Sequence, residues 1–490
     1  MEKKVLVYLK VLYKWGTTCL ISLLLWLFCI RNHRSEAVLA IAFLAILIYI
    51  YSSSADRFER RPRIGSGTPI LLFLGGFFTR YLYCDYVNTI NSQVSDFADI
   101  LYRASAGFGD YPEYYRFFPH KFYYAYILHE LGIYKQEDVY LFACAVLAFV
   151  PVLLYMIGKR IRGEGLGLAA ALIYILWPAQ LIYSSVVTEE HIASAGTALT
   201  VFMLLDAEKR LDDCDDLPLR KIVLMLLECA AAGGLLGFLT FFKDWGVIVL
   251  VALTICTVPL VMQYKGRRRA MLIGGVGLVI VFRLIFSSGM LLKAERELGG
   301  DVAEATVIAH MFESLDPNGW GGWDPDRMAE YMQIVRDHDW DFDSANAEAI
   351  SILKSRIAVS PERMPGLLYS KGVSAYGDDS ALLWWAVDAE WNQDWFNYFR
   401  GSISVLYYAC GLWYVLAVIL LIVAAFMCKD RGIFFILLII LGAVLAGLLV
   451  ESQGRYKYSL EPLWCLPVGY ALCRLCETVS GIRSRGSGGK

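Results

Sequence analysis

Residues 402–450 read SISVLYYACGLWYVLAVILLIVAAFM, then CKDR, then GIFFILLIILGAVLAGLLV. The charged side chains of this stretch, Lys429, Asp430 and Arg431, all sit at the junction of the two runs. Each run is long enough, as a helix, to cross roughly 30 Å of hydrocarbon. The pair therefore reads as a transmembrane hairpin with a short basic turn, and the rest of the chain has the same character. Hydrophobic residues make up 57%, charged residues 19%, and mean hydropathy is +0.50. That balance lies outside the range of ordinary soluble domains.

Further apolar runs fall near 15–30, 36–51, 66–84, 138–157, 165–183, 189–205, 221–241, 245–263, 269–288 and 459–477. With the two above, an all-α polytopic membrane protein of about 12 transmembrane helices is expected. The run after Lys14 has no convincing small-residue cleavage site, so helix 1 reads as a retained anchor.

Lys and Arg in short loops set the orientation. Lys3, Lys4, Lys10 and Lys14 precede the first run, and Arg57, Arg60, Arg61 and Arg63 follow the second. Lys159, Arg160 and Arg162, then Lys265, Arg267, Arg268 and Arg269, then Lys429 and Arg431 fall on the same side if both termini are cytoplasmic. Arg31 and Arg34 dissent. A multi-pass plasma-membrane protein then has two long extracytoplasmic segments, 85–137 and 289–400. The larger carries 20 acidic and 9 basic residues, which argues against nucleic acid as a partner. None of the 12 cysteines lies in it, so it is no disulfide scaffold. Cys473 and Cys476 form a lone CxxC that suits packing better than zinc. The domains are then 1–64 (two N-terminal helices), 65–288 (a core with outer loop 85–137), 289–400 (an acidic outer domain), 401–478 (C-terminal helices) and 479–490 (a disordered cytoplasmic tail).

Two polar stretches are candidates for chemistry. One is Ser95-Asp96-Phe97-Ala98-Asp99, followed by Phe118-Pro119-His120-Lys121; the other is Glu451-Ser452-Gln453-Gly454-Arg455-Tyr456, with Pro462 beyond. They are expected to face one another across a cavity at the outer membrane surface. Asp96, Asp99 and Arg103 share one helical face, where Asp99 can pair with Arg103. Asp96, at an apolar boundary, is expected to have a pKa raised toward use as a proton acceptor. Around Arg116, His120 and Lys121 the aromatics Tyr111, Tyr114, Tyr115, Phe117, Phe118, Tyr123, Tyr124 and Tyr126 suit a helix in the headgroup plane, where Arg116 and Lys121 meet lipid phosphate.

Lys243-Asp244 reads either as a neutralised turn or as a phosphate contact. Glu189 and Glu190 read either as caps of the helix they open or as groups that orient an acceptor or hold a cation. Trp320, Trp323, Trp340, Trp384, Trp385, Trp391 and Trp395 can pack the outer domain or stack on sugar rings. No cofactor is required by any motif. No metal is demanded either, though a divalent cation remains an option.

Together these pieces resemble the bacterial branch of GT-C-type polytopic glycosyltransferases, the family 39-related group that includes protein O-mannosyltransferases and lipid A aminoarabinose transferases. Asp96 and Phe118–Lys121 match that group's first outer loop. Gly165–Ala171, Trp177-Pro178, Tyr183-Ser184 and Thr188-Glu189 match a later helix and the segment after it. Arg455-Tyr456 with Pro462 matches its C-terminal motif, and Asn318–Asp324 resembles a Gly-rich stretch in the last large loop of Gram-positive members. There are departures: two extra helices at the start, no tandem Asp-Glu after Asp96, and only a partial echo of WWDYG in Trp384-Trp385-Ala386-Val387-Asp388.

The resemblance implies transfer of a sugar, with inversion, from a polyprenyl-phosphate donor to an extracytoplasmic glycolipid, wall polymer or protein. Asp96 is then the expected base. Arg455, Tyr456, Lys121, His120, Arg116, Arg103, Lys243, Glu189 and Glu190 are the expected substrate-binding residues. A transporter or flippase of lipid-linked saccharides is the alternative reading.

Overall fold

A computed structural model describes residues 2–58, 65, 67–88, 93–108, 112–212, 219–304, 306–387 and 403–487. Arg60, Arg61, Arg63, Tyr111, Trp391 and Trp395 lie outside the described residues. All regular structure among those described is helical.

The N-terminal helices α1 (Glu2–Leu25, continued by a π turn to Ile30) and α2 (Arg34–Phe58) meet at a 114° bend. Next come α3 (Thr68–Val87), then α4 (Ser95–Ala106), α5 (Pro112–Phe117) and α6 (Pro119–Glu130) in the first of the two segments expected to be outer. α7 (Gln136–Arg162) returns, and α8 (Glu164–Ile175) packs against it. The small-residue run is needed there: a Cβ on Gly158 would come within 2.6 Å of the Gly167 Cα. Pro178 then breaks the path, because the residue before proline is driven out of the helical region. Trp177 is accordingly extended (φ −74°, ψ 109°), and short α9 (Pro178–Ile182) leaves at 59° to α8.

α10 (Glu190–Asp212), α11 (Leu219–Leu239), α12 (Gly246–Gln263) and α13 (Gly266–Leu298) come next. The second outer segment holds α14 (Val307–Ser314), α15 (Pro325–Asp337), α16 (Phe342–Val359), α17 (Met364–Tyr376) and α18 (Ser380–Val387). α19 (Ile403–Met427), α20 (Arg431–Leu449) and α21 (Glu461–Ser487) close the chain.

Six of these, α7, α11, α12, α13, α19 and α20, are long and apolar enough to cross a membrane, or up to eight with each bent pair taken as one span. α3, α10 and α21 occupy other expected runs but carry Arg80, Glu190 or Glu461 and stay below that mark among the described residues. α13 also outruns its expected end near 288. Its 33 residues exceed what the hydrocarbon needs, and the surplus props the first outer segment: Tyr123 donates to the Met290 carbonyl and Lys293 lies 4.3 Å over the Tyr126 ring. α21 continues through Ser487, into the tail that composition assigns to disorder.

The two outer segments pack together. Phe117 and Phe118 share a buried apolar cluster with Phe312, Tyr331, Val335 and Leu353. Arg336 pairs with Glu113 at 2.6 Å, and the Ala303 amide donates to the Arg116 carbonyl at 2.8 Å. The basic loops gather elsewhere: Arg162 reaches Glu477 at 2.6 Å and Asp430 at 3.9 Å, while Arg431 reaches Glu208 at 3.2 Å. The length of α20 separates Arg431 from Glu451, so the two gatherings lie at opposite ends of the bundle.

The dissenting Arg31 now has a physical account. The corner between α1 and α2 docks on α17: Arg31 lies 5.6 Å over the Tyr369 ring, and His33 sits 3.7 Å from Asp378. Gly372 admits the Phe28 ring, which a Cβ there would meet at 2.3 Å.

Candidate functional site

Both polar stretches open onto one cavity of about 900 Å³ at the end where the outer segments pack. Its wall draws on the start of α4, the α5–α6 junction, the start of α10, the turn between α11 and α12, and residues 446–457. Asp96, His120, Lys121, Glu189, Glu190, Lys243, Arg455 and Tyr456 all line it.

Asp96 is the centre of charge. Its Oδ1 accepts from the Lys121 ammonium at 2.9 Å and its Oδ2 from the Arg455 guanidinium at 3.4 Å. The residue before it, Ser95, has φ +51°, a left-handed conformation uncommon for a side chain without glycine's freedom. Such strain persists only where the surroundings hold it, and here it turns the chain into α4 with Asp96 facing the cations. Lys121 is buried between the Tyr114 and Phe118 rings, 4.9 and 5.0 Å from their centroids, and donates to the Tyr114 hydroxyl.

Arg455 lies 4.7 Å over the Trp385 ring and 5.1 Å over Phe97, and its Nε donates to Gln453 at 2.6 Å. The turn that carries it is pinned from below. Lys457 pairs with buried Asp379 at 3.4 Å and donates to the carbonyls of Ala375 and Asp378. Two cations, each seated on aromatic faces and sharing one carboxylate, make a strong anion-binding pair.

Electrostatics correct one expectation. Burial alone would raise the Asp96 carboxyl, but Lys121 and then Arg455 outweigh it and hold the group well below the ordinary carboxylate range. An opposite charge within a few ångströms favours the ionised form, so Asp96 is a locked carboxylate rather than one raised toward neutrality. Burial first, then the charges of Lys121 and Lys243, push His120 well below its usual value and leave a neutral imidazole at pH 7.

On another wall, Lys243 pairs with Glu190 at 3.2 Å and lies 3.6 Å over the Tyr456 ring, while the Tyr183 hydroxyl donates to Glu190 at 3.0 Å. Lys243 is thus not neutralised within its own turn; its neighbour Asp244 is 3.4 Å from Arg283 instead. Thr188 Oγ1 accepts from the Glu190 amide at 3.3 Å. The helix start is served by that hydroxyl, leaving Glu189 on the cavity wall with no Lys or Arg within ion-pair distance among the described residues.

Two expected substrate residues do not reach the cavity. Arg103 is buried beside Asp99, 3.5 Å away, with the Tyr102 ring at 5.1 Å and Tyr115 at 5.9 Å. Tyr115 also donates to Asp99 at 2.6 Å, so this group braces α4. Arg116 stacks 3.7 Å over Trp340 and its Nε donates to the Asp301 carbonyl at 2.7 Å, joining the outer segments. Trp340 accordingly packs, whereas Trp320, Trp323, Trp384 and Trp385 line the cavity.

Sequence reasoning did not single out His310 and Glu313. His310 lines the cavity, 2.7 Å from Glu313 and 3.6 Å from Glu451; Glu451 also accepts from Gln453 and Tyr456. Burial pushes the Glu313 carboxyl up to about 7. The i, i+3 spacing of His310 and Glu313 on α14 was a visible signal, but nothing local ties it to Glu451.

No protein-family model and no curated protein matches the chain. The site's residues and their chemistry are what bear on function.

Proposed function

We propose that this protein is a GT-C-type membrane glycosyltransferase, with about 12 passes and both termini cytoplasmic. It moves a sugar from a polyprenyl-phosphate donor to an extracytoplasmic acceptor. The observation that carries this reading is the Asp96 carboxylate held between Lys121 and Arg455 in a cavity whose wall also carries Trp320, Trp323, Trp384 and Trp385.

The donor's phosphate takes up Lys121 and Arg455, with Lys243 adding positive charge from the facing wall. Competition for the two cations leaves Asp96 less stabilised as an anion, so its proton affinity rises once the donor is bound. Asp96 then accepts the proton of the acceptor hydroxyl while that oxygen bonds to the anomeric carbon. The bond from that carbon to the phosphate oxygen breaks, its electron pair stays on the polyprenyl phosphate, and one displacement inverts the centre.

The test uses purified protein in lipid nanodiscs with synthetic polyprenyl-phosphate sugars and candidate acceptors. Release of polyprenyl phosphate dependent on an acceptor hydroxyl supports the reading. Donor movement across liposomes without bond cleavage would instead favour a flippase and sink it.

A further inference from the structure

Glu313 and Glu451 are 2% and 1% exposed, yet no Lys or Arg lies within ion-pair distance of either among the described residues. Among the described residues Glu313 Oε2 has no hydrogen-bond partner of good geometry, although the Asp324 backbone amide approaches the carboxylate. The nearby Lys371 ammonium is committed to the carbonyls of Val450 at 2.7 Å, Gly321 at 3.0 Å and Ser314 at 3.4 Å. Two buried carboxyl groups therefore face one imidazole, with one oxygen poorly satisfied and no Lys or Arg to pair with either among the described residues. Buried charge of this kind is ordinarily paired or metal-bound.

One ligand atom from each of His310, Glu313 and Glu451 can be chosen so that all three lie within 4.8 Å of one another. Neighbouring ligands about 2.1 Å from a tetrahedral ion lie about 3.4 Å apart, so side-chain movement of about an ångström brings the three atoms onto one ion. We propose that His310, Glu313 and Glu451 form a divalent-cation site on the cavity wall. One imidazole nitrogen with two carboxylates suits Mn²⁺ or Zn²⁺ and is too poor in oxygen for Ca²⁺. His310 and Glu451 line the cavity, so the ion's open positions face the space where an anionic ligand would enter. A role in gripping donor phosphate rests on the glycosyltransferase reading; cation binding does not.

The test is direct. The full chain in nanodiscs is stripped with EDTA, and binding is followed for Mn²⁺ by loss of the free-ion EPR signal and for Zn²⁺ by competition with a chromophoric chelator. One equivalent is expected. Glu313→Gln, which keeps the shape and removes the charge, and His310→Ala are each expected to weaken binding at least about tenfold. Asp96→Asn leaves it unchanged. Melting curves of each variant report folding separately, and the wild-type stoichiometry stands even if a variant does not fold. Absence of stoichiometric binding by wild type, or equal affinity in folded variants, overturns the site. Binding without any sugar transfer keeps the site and removes the glycosyltransferase reading instead.

Discussion

Asp96 and Arg455 meet at 3.4 Å although 359 positions separate them in the chain. Arg455 presents a flat guanidinium over Trp385 and Phe97 while also donating to Gln453. A planar fork holds two oxygens of one phosphate in a fixed parallel geometry while its face stacks on the rings, whereas a lysine ammonium is a compact point charge without that geometry. Arg455→Lys is therefore expected to raise the KM for a polyprenyl-phosphate donor about tenfold or more, with the acceptor KM little changed. Steady-state kinetics on protein normalised for folding check this, and an unchanged donor KM rejects the assignment.

The pairing of Asp96 also sets a pH signature. A carboxyl held below its unfolded value contributes stability at pH above about 4, and that contribution is lost as pH falls toward the lower folded value. The free enzyme's essential groups appear in kcat/KM and those of the substrate complex in kcat. With Asp96 as base, kcat/KM has no acid limb from this group between pH 5 and 8, and the kcat limb lies at higher pH. Asp96→Asn keeps the shape and is expected to lower kcat by about a hundredfold or more. Two superimposable profiles, or a near-normal Asp96→Asn, contradict the role.

Much of this arrangement was legible in the chain. Apolar runs such as 402–427 and 432–450 announce themselves because lipid demands length and hydropathy together. Asp96, Lys121 and Arg455 could be grouped because each stands beside such a run on one expected side. The sign of the Asp96 shift was not legible, since it depends on how close two cations from elsewhere in the chain approach. Arg103 and Arg116 misled for a related reason: a basic residue among aromatics reads the same whether it faces a phosphate or, like Arg116, Trp340 and a backbone carbonyl. The run 66–84 announces α3, but nothing local shows that its Arg80 lies fully buried over the Tyr174 ring.

Ser95 offers a test of strain at the site. At φ +51° a side chain bearing Cβ is disfavoured, and a β-branched one more so. Ser95→Val is expected to destabilise the protein by about 1–3 kcal/mol. Ser95→Gly removes the strain but loosens the unfolded chain, so its stability should stay within about 1 kcal/mol of wild type. Thermal unfolding in detergent reads both. A Ser95→Val variant as stable as Ser95→Gly means that the left-handed turn into α4 is not kept.

The packing of the two outer segments carries a prediction about sidedness. Arg116, Glu113 and Phe117 tie the first segment to the second, so both must lie on one face of the membrane. With the basic loops at the far end of α20 taken as cytoplasmic, as the positive-inside rule expects, that face is the outer one. Ser105 and Ser344 are exposed, one in each segment, and Arg267 is exposed in the first turn of α13. Single cysteines at Ser105 and Ser344 should therefore react with an impermeant maleimide in intact cells, above the background of the native thiols. A cysteine at Arg267 should react only after permeabilisation. Labelling of Ser105 and Ser344 only after permeabilisation, with Arg267 open in intact cells, inverts the orientation but leaves the cavity whole. Labelling of Ser105 and Ser344 from opposite faces is incompatible with the Arg116 and Glu113 contacts and would dismantle the site itself.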